Sequence, residues 1–483
     1  MVGITGYGAY APRLRLSRAA VAKAHAWLNP GLASKAKGER AMANWDEDSL
    51  TMAVEACRDC LGPSDDRSHI QALLFATTTA PFADRLNAGI IAAALTLEPT
   101  IGAGDVTGSQ RAGVTALSTA LVAARGARGK HILVAAADKR RARAASAQEL
   151  DFGDAGAAIR VGEDDVLADW IGGAVRTVDF VDHFRGEGEA FDYHWEERWI
   201  RDEGFNKIVP PALAQALTSA GLSGSDIDTF ILPCIYKGVG ESLAKKAGVK
   251  PEAVADQLAA TVGEAGCAHA LVMLAHALET ARPGQVILVA QFGQGCEVNI
   301  FRVTDKIGAF KPQRGLSGWL ALRKEETNYL KYAVFNDLLD WDRGMRAEKD
   351  NKTALTTLHR HNDMILGLVG GRCRETGVVQ FPRSRVSVNP QNPAVDTQDP
   401  YKFAERAATV LTWSADHLTF ALSPPNHYGM MVFEGGGRIF MDITDVDPGD
   451  VDSGTAMRMV FRIKERDEKR GFTRYFWKAA PRI

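Results

Sequence analysis

The sequence predicts an α/β body of two similar halves, followed by a small antiparallel β-barrel. Three observations carry this. Through residues 1–305, short apolar runs alternate with alanine-rich helical stretches, as in sheets covered by helices. A similar order of elements appears in 1–165 and again in 166–305, as a likeness of pattern rather than of residue identity. From about Val395 the pattern changes to short strands punctuated by Gly435-Gly436-Gly437 and Asp447-Pro448-Gly449-Asp450. A length of 483 residues favours more than one domain. The expected division is two halves at 1–165 and 166–305, a helical connector region at 306–394, and a barrel at 395–483.

Each element has its own signal. Met1–Gly6 reads as a strand entering a turn. Asp46–Leu61 has helical periodicity and good helix formers. Leu73–Ala76 is a short buried strand, and Asn87–Leu97 is an alanine-rich helix. Arg111–Ala124 is another, entered through the turn Thr107-Gly108-Ser109. His131–Ala136 and Ala157–Val161 read as strands. In the second half, Thr229–Pro233 is a strand, and Gly240–Ala247 and Cys267–Thr280 are helices. Val286–Ala290 is a strand running into Phe292-Gly293-Gln294-Gly295-Cys296. Residues 306–350 are polar and charged, a connector with short helices. The expected barrel strands are Val410–Trp413, Leu418–Leu422, Tyr428–Phe433, Arg438–Ile443, Ala456–Ile463 and Tyr475–Lys478.

Composition narrows the function classes. Charged residues are 24% and the net charge is −2, so neither nucleic acid nor a membrane surface is an expected partner. No apolar run approaches the roughly 18–20 residues of a membrane span. The N-terminus has no basic region followed by a long apolar stretch, so no secretory leader is expected. Six scattered cysteines fit a reducing compartment, and the expected location is the cytoplasm. Cys57 and Cys60 form a CxxC spacing on a helix. No second pair matches it, so they read as packed residues.

Residues 1–305 resemble the thiolase-fold condensing enzymes, and among them the hydroxymethylglutaryl-CoA synthases, particularly the archaeal type. The segments that carry the resemblance are Gly3–Pro12, Asp46-Glu47-Asp48-Ser49, Phe152–Ala158 and Gly284–Gly295. It implies a five-layered αβαβα body. Residues from about 330 resemble the OB-fold partner proteins of acyl-CoA thiolases and synthases. The segments there are Gly371–Gly377, Phe381-Pro382-Arg383, Asp445–Pro448 and Thr473–Lys478. Such partners are usually separate chains with a rubredoxin-like zinc knuckle. Here the two parts are fused, which fixes them at high effective concentration.

The chain departs from the family at each catalytic position. The nucleophilic cysteine falls on Gln110, or on Ser109 if the register moves by one. Glutamine cannot form an acyl-enzyme, and a serine needs an adjacent base. Ser109 reads better as the cap of a helix beginning at Gln110 or Arg111. The acid/base glutamate is replaced by Thr78, and the histidine by Ile231 or Pro233. The knuckle spacing places ligands at Cys373, Thr376, Ser387 and Pro390. Only Cys373 is a credible ligand, so no zinc is expected.

What remains able to move protons is Glu264, Cys267 and His269, grouped at a helix entrance where the family presents an asparagine. Tyr236 is a second candidate, a hydroxyl donor near the lost histidine. His183 and His194 match a family loop near the substrate. Gly293 and Gly295 are candidates for presenting backbone N–H groups to an oxyanion. The expected substrate is a coenzyme A thioester, with no covalently bound cofactor. The expected reaction is retro-aldol cleavage of a β-hydroxyacyl-CoA, which needs a base and an oxyanion site but no acyl-enzyme. The alternatives are a non-catalytic acyl-CoA-binding or partner subunit, a decarboxylase of a malonyl-type thioester using Gln110, and synthase-type acyl transfer. A homodimer through the sheet edge of the first half is expected, or a heteromer with another thiolase-like chain.

Overall fold

The computed structural model describes residues 1–350 and 352–482. Nine strands form the frame of the body. The first half supplies β1 (Gly3–Tyr10), β2 (Ile70–Ala76), β3 (Gly102–Val106), β4 (His131–Asp138) and β5 (Ala155–Gly162). The second supplies β6 (Ala168–Thr177), β7 (Thr229–Ile231), β8 (Val286–Phe292) and β9 (Gly295–Val303). Their order is β7-β8-β9-β6-β1-β5-β4-β2-β3. Each half runs in the same order outward from its first strand. In the second half the outermost strand shrinks to one parallel bridge, Phe230 to Val254. The two half-sheets are laddered together where Gly3 and Ile4 meet Asp169 and Ala168.

Five helices complete the layers: α1 (Ser49–Leu61), α2 (Asn87–Ala94), α3 (Ala112–Ala123), α4 (Asn206–Ala220) and α5 (His269–Thr280). α3 and α5 lie between the two half-sheets and touch each other. α1 and α2 cover the outer face of the first half, and α4 that of the second. A helix packed on both sides must be slim. That is why α3 and α5 bury Ala116, Ala120, Ala270 and Ala275. Gly113 is required for the same reason, since a Cβ there would run into the carbonyl oxygen of Cys267.

An outer-layer helix normally leaves one face in water, yet every residue of α1 from Ser49 to Cys60 is buried. The barrel covers it. Cys57 and Cys60 are buried free thiols in this core. α1 starts with a capping box: Asp48 Oδ1 accepts from Thr51 N (2.9 Å) and Thr51 Oγ1 accepts from Asp48 N (2.9 Å). Asp48 Oδ2 also accepts from the Tyr475 hydroxyl (2.7 Å) of the barrel. Asp48→Ala therefore loses a cap and leaves a buried phenol unpaired. Urea denaturation should show a loss of about 2 kcal/mol, and a loss under a few tenths would contradict this account.

The expected connector is not a spacer over its first part. Gly315–Ala321 packs on α5 and β1. Lys324–Glu326 pairs in parallel with Leu14–Ser17. Tyr332 and Phe335 join a core cluster with Leu14, Leu16 and Met42. A three-stranded sheet follows, Val379–Gln380, Val369–Cys373 and Gln398–Lys402 in that order. Thr397 Oγ1 lies 3.1 Å from Cys373 Sγ there. Among the described residues no group of three His, Cys, Asp or Glu side chains is placed to hold a metal, and no helix is long and apolar enough to cross a membrane.

The barrel has five strands: β10 (Ala408–Asp416), β11 (Asn426–Phe433), β12 (Arg438–Asp442), β13 (Ala456–Asp467) and β14 (Phe472–Pro481). Their order is β12-β11-β10-β13-β14, and a bridge from Ile443 to Ala479 brings the two ends together. The expected strand Leu418–Leu422 is a turn. Asp416 Oδ1 accepts from Leu418 N (2.6 Å) and Thr419 N (3.3 Å), which bends the chain. Phe420 then stacks on Trp341 instead of joining a ladder.

Ion pairs join barrel and body. Arg462 of β13 is fully buried, 3.0 Å from Glu47 and 2.8 Å from Asp445. Lys478 of β14 pairs with Asp46 at 2.8 Å. Arg58 of α1 holds Glu55 and Glu405, each at 2.9 Å. Burial pushes the Glu47 carboxyl up to about 7, against the opposing pull of Arg462.

Candidate active site

The site begins at the entrance of α3. Gly293, on the turn between β8 and β9, anchors that entrance. Its carbonyl accepts from Ser109 Oγ (2.8 Å) and Arg111 Nε (3.0 Å). Ser109 Oγ in turn accepts from Arg111 N (3.2 Å). The helix starts at Ala112, one residue later than expected, and its N-cap is Arg111 with no side-chain cap. Ser109 thus ties two turns together and does not cap the helix. A Cβ on Gly293 would lie 2.8 Å from Arg111 N. Gly293 N donates to Gly295 O (3.1 Å), and Gly295 sits in the ladder opposite Thr177. These two glycines allow close packing; the Gly293 N–H is spent within its own turn.

Gln110 lines a cavity of about 80 Å³. Its polar lining also includes Arg140, Asp182, His183, His194, Tyr236, Glu264 and Gln291, and Phe152, Phe205 and Phe292 supply apolar wall. His183 and His194 lie on a two-stranded hairpin that stacks their rings 5.4 Å apart. His183 Nδ1 is 3.1 Å from Asp182 Oδ2, and His183 Nε2 is 3.2 Å from Gln110 Nε2. With Nδ1–H donating to Asp182, Nε2 carries the lone pair and accepts from the Gln110 amide. Four buried polar atoms have no partner here: Gln110 Oε1, Asp182 Oδ1, His194 Nε2 and Gln291 Oε1. Buried polar groups are normally satisfied, so four on one small cavity mark a place built for a polar ligand.

The trio Glu264, Cys267 and His269 does not converge. Glu264 forms a 2.7 Å ion pair with Arg140, which also holds Asp192 at 2.7 Å and stacks on Phe152. Cys267 is fully buried, and burial pushes its thiol well above the usual range. His269 Nδ1 accepts from Ala265 N (3.1 Å), and its Nε2 lies 2.9 Å from the Gln257 carbonyl, to which Nε2–H donates. Both ring nitrogens are spent, and burial lowers its pKa. Glu264 and His269 do border one adjoining cavity of about 240 Å³ with Tyr236, while Cys267 is packed away from it.

Thr78 is also removed from this cavity. Its Oγ1 and N donate to Asp138 at 3.0 and 2.7 Å, alongside donors from Thr77, Thr79 and Cys267. Tyr236 does reach the cavity, with burial pushing its phenol up, and its ring packs on Phe205. Pro233 lines the cavity while Ile231 is buried in β7. Sequence reasoning missed Asp182, Arg140 and Gln291. Asp182 was readable, since an aspartate directly before a histidine is a standing candidate to orient it.

Burial and Arg140 push the His194 imidazole down to about 4, and burial does the same to His131. Both are therefore neutral near pH 7. A lowered folded pKa stabilises the fold above the unfolded value of 6.5, and that stability is lost as pH falls toward 4. Denaturation midpoints should drop steadily between pH 6.5 and 4, and His131→Gln should flatten the drop. A midpoint constant across that range would contradict the assignment.

Residues 217–303 match the family model described as 3-oxoacyl-[acyl-carrier-protein (ACP)] synthase III C terminal, and residues 401–462 the one described as ChsH2, C-terminal OB-fold domain. The chain is 27% identical to the hydroxymethylglutaryl-CoA synthase of Pyrococcus furiosus over 338 residues, 69% of this chain and 95% of that protein. It is 28% identical to that of Methanocaldococcus jannaschii over 343 residues, 69% and 98% of the two. A crystal structure of a hydroxymethylglutaryl-CoA synthase complexed with CoA superposes with a TM-score of 0.59 at 17% identity, covering 73% of this chain and 94% of the other. The body thus has the thiolase-like fold and the barrel is an OB-fold domain.

Proposed function

We propose that this fusion of a hydroxymethylglutaryl-CoA synthase-like body with an OB-fold domain is an enzyme of acyl-CoA carbon–carbon bond chemistry that works without an acyl-enzyme. Its reaction is retro-aldol cleavage of a β-hydroxyacyl-CoA. The observation that carries the reading is the Asp182–His183 pair facing Gln110 across one cavity. A carboxylate behind an imidazole fixes its tautomer and steadies its charged form. His183 Nε2 takes the proton of the β-hydroxyl. The bond between the α and β carbons breaks, and the β carbon becomes a carbonyl. The electron pair passes into the thioester enolate, which takes the proton back from His183 at its α carbon. The products are an aldehyde or ketone and a shorter acyl-CoA. The Gln110 amide N–H, beside His183 on the same cavity, is the donor for the enolate oxygen.

The test is incubation of the full chain with β-hydroxyacyl-CoAs of varied side chain, with carbonyl product and acyl-CoA both quantified. Gln110→Ala is expected to lower turnover roughly 10²-fold, the usual scale for losing one oxyanion donor. Intact substrates throughout would remove the aldolase reading. Acetyl-CoA released from malonyl-CoA instead would assign Gln110 to decarboxylation. Binding of CoA without turnover of any substrate would leave a binding subunit.

Dimerisation belongs to the same proposal. β3 is the edge of the nine-stranded sheet, with unpaired backbone on its outer side. Two copies, or this chain and another thiolase-like one, pair along that edge. Sedimentation at micromolar concentration should give twice the chain mass, and the mass of one chain would remove the homodimer.

A further inference from the structure

A second and larger cavity, of about 420 Å³, lies where barrel and body meet. The body contributes Thr78, Lys139 and Arg185; the barrel contributes Arg466, Phe472 and Thr473. Neither part encloses it alone. It continues past Phe335 and Arg466 into an adjoining cavity of about 360 Å³ walled by Trp45, Trp341 and Phe420.

The two catalytic-side boundaries are close. The Arg185 guanidinium donates to the Thr78 carbonyl and to Asp192 Oδ1 (2.8 Å), and Asp192 also binds Arg140 of the Gln110 cavity. The linked side chains Arg185, Asp192 and Arg140 thus run from the wall of this second space to the wall of the Gln110 cavity.

Its charges are unevenly matched. Of the four carboxylates on its wall, three are committed: Asp48 to Thr51 and Tyr475, Asp467 to Arg470, Glu468 to Arg343; the fourth, Glu189, is exposed at the rim. Arg141 and Arg466 share one carboxylate, Asp337, at 2.6 and 3.6 Å. Lys139 has none. Its Nζ donates to the Glu47 carbonyl oxygen (3.1 Å), and among the described residues no carboxylate lies within 4.0 Å of it. Burial pulls its pKa down and Arg466 adds to that pull, while the more distant Asp154 and Asp48 oppose it. A desolvated ammonium with no carboxylate in direct contact is costly, and an anionic group beside it would offset that cost.

We propose that this interdomain cavity holds an anionic group at the far end of the substrate's acyl chain, with Lys139 as its counter-charge and the barrel closing the pocket around it. The inference rests on the CoA-thioester reading above. A carboxylate on the acyl chain and a phosphate of CoA offer the same charge. Position separates them. The wall of this cavity is tied to that of the Gln110 cavity through the ion pairs Arg185–Asp192–Arg140, whereas the whole pantetheine arm lies between a thioester and the CoA phosphates.

The experiment is calorimetric titration of the full chain with succinyl-, glutaryl- and adipoyl-CoA against butyryl-, pentanoyl- and hexanoyl-CoA, each pair differing by carboxylate versus methyl. At least one carboxylate partner should bind ten-fold or more tightly than its methyl twin. Lys139→Met should abolish that preference and leave the methyl series unchanged. Arg466→Met, on the barrel side, should reduce it, which keeps the test alive if one variant folds poorly. Equal affinities within every pair would overturn the proposal while leaving CoA binding intact. If Lys139→Met instead weakens adenosine 3′,5′-bisphosphate, the cavity belongs to the CoA phosphates and the assignment fails. Absence of binding by CoA itself would overturn the CoA-thioester reading, and this proposal with it.

Discussion

Replacing His183 by alanine is expected to cut cleavage of the β-hydroxyacyl-CoA substrate roughly 10³-fold, the usual scale for removing a positioned general base. CoA binding should persist, because the imidazole meets the reacting hydroxyl rather than the nucleotide. Asp182→Asn is the sharper probe. It keeps the shape of the pair but lets an amide face Nδ1, so the imidazole loses the partner that holds its lone pair toward Gln110. It should lose nearly as much as His183→Ala, and the double variant little more, since residues acting as a unit are not additive. Full activity in Asp182→Asn would show that His183 is oriented by something else. Full activity in His183→Ala would return proton transfer to Tyr236 or Glu264, which also line the cavity.

The second large effect is on stability. Arg462→Met removes the cation shared by Glu47, Asp445 and Asp46, of which Glu47 and Asp46 are fully buried. Removing one partner of a buried network leaves its charges uncompensated, at a cost of about 3–5 kcal/mol. Urea denaturation of the full chain should show this as a lower midpoint with unchanged slope. Adding Glu47→Gln to Arg462→Met should recover part of the loss, because one stranded carboxylate is then gone. A loss under about 1 kcal/mol would mean the network is solvated and not the joint described here.

The sequence carried most of the fold because the fold is made of local regularities. Apolar runs such as Val286–Ala290 sit wholly inside β8, and the alanine bias of Cys267–Thr280 reflects a helix packed on both faces. It misled where a long-range contact overrode a local pattern. Leu418–Leu422 looks like a strand until Asp416 bends the chain and Trp341 captures Phe420. The candidate site was legible in part. Gln110, His183, His194, Tyr236 and Glu264 do share one cavity. Glu264, Cys267 and His269 were grouped by proximity in sequence, but the helix entrance packs Cys267 away from the other two. Arg140 and Gln291 carried no local signal, because their place depends on how strands from opposite halves meet.

The joint between barrel and body also bears on how the chain is made. Asp46 and its partner Lys478 are 432 residues apart. Glu47 waits for Arg462, and α1 waits for β13 and β14 to cover its outer face. A ribosome thus releases almost the whole body before the residues that neutralise its most buried acids exist. During synthesis the face of α1 that the barrel will cover stands open until the last two strands emerge. A stop codon before Tyr475 removes the partners of both Asp46 and Asp48, so such a truncation should be cleaved by added protease faster than the full chain, even though every residue around Gln110 and His183 has been made.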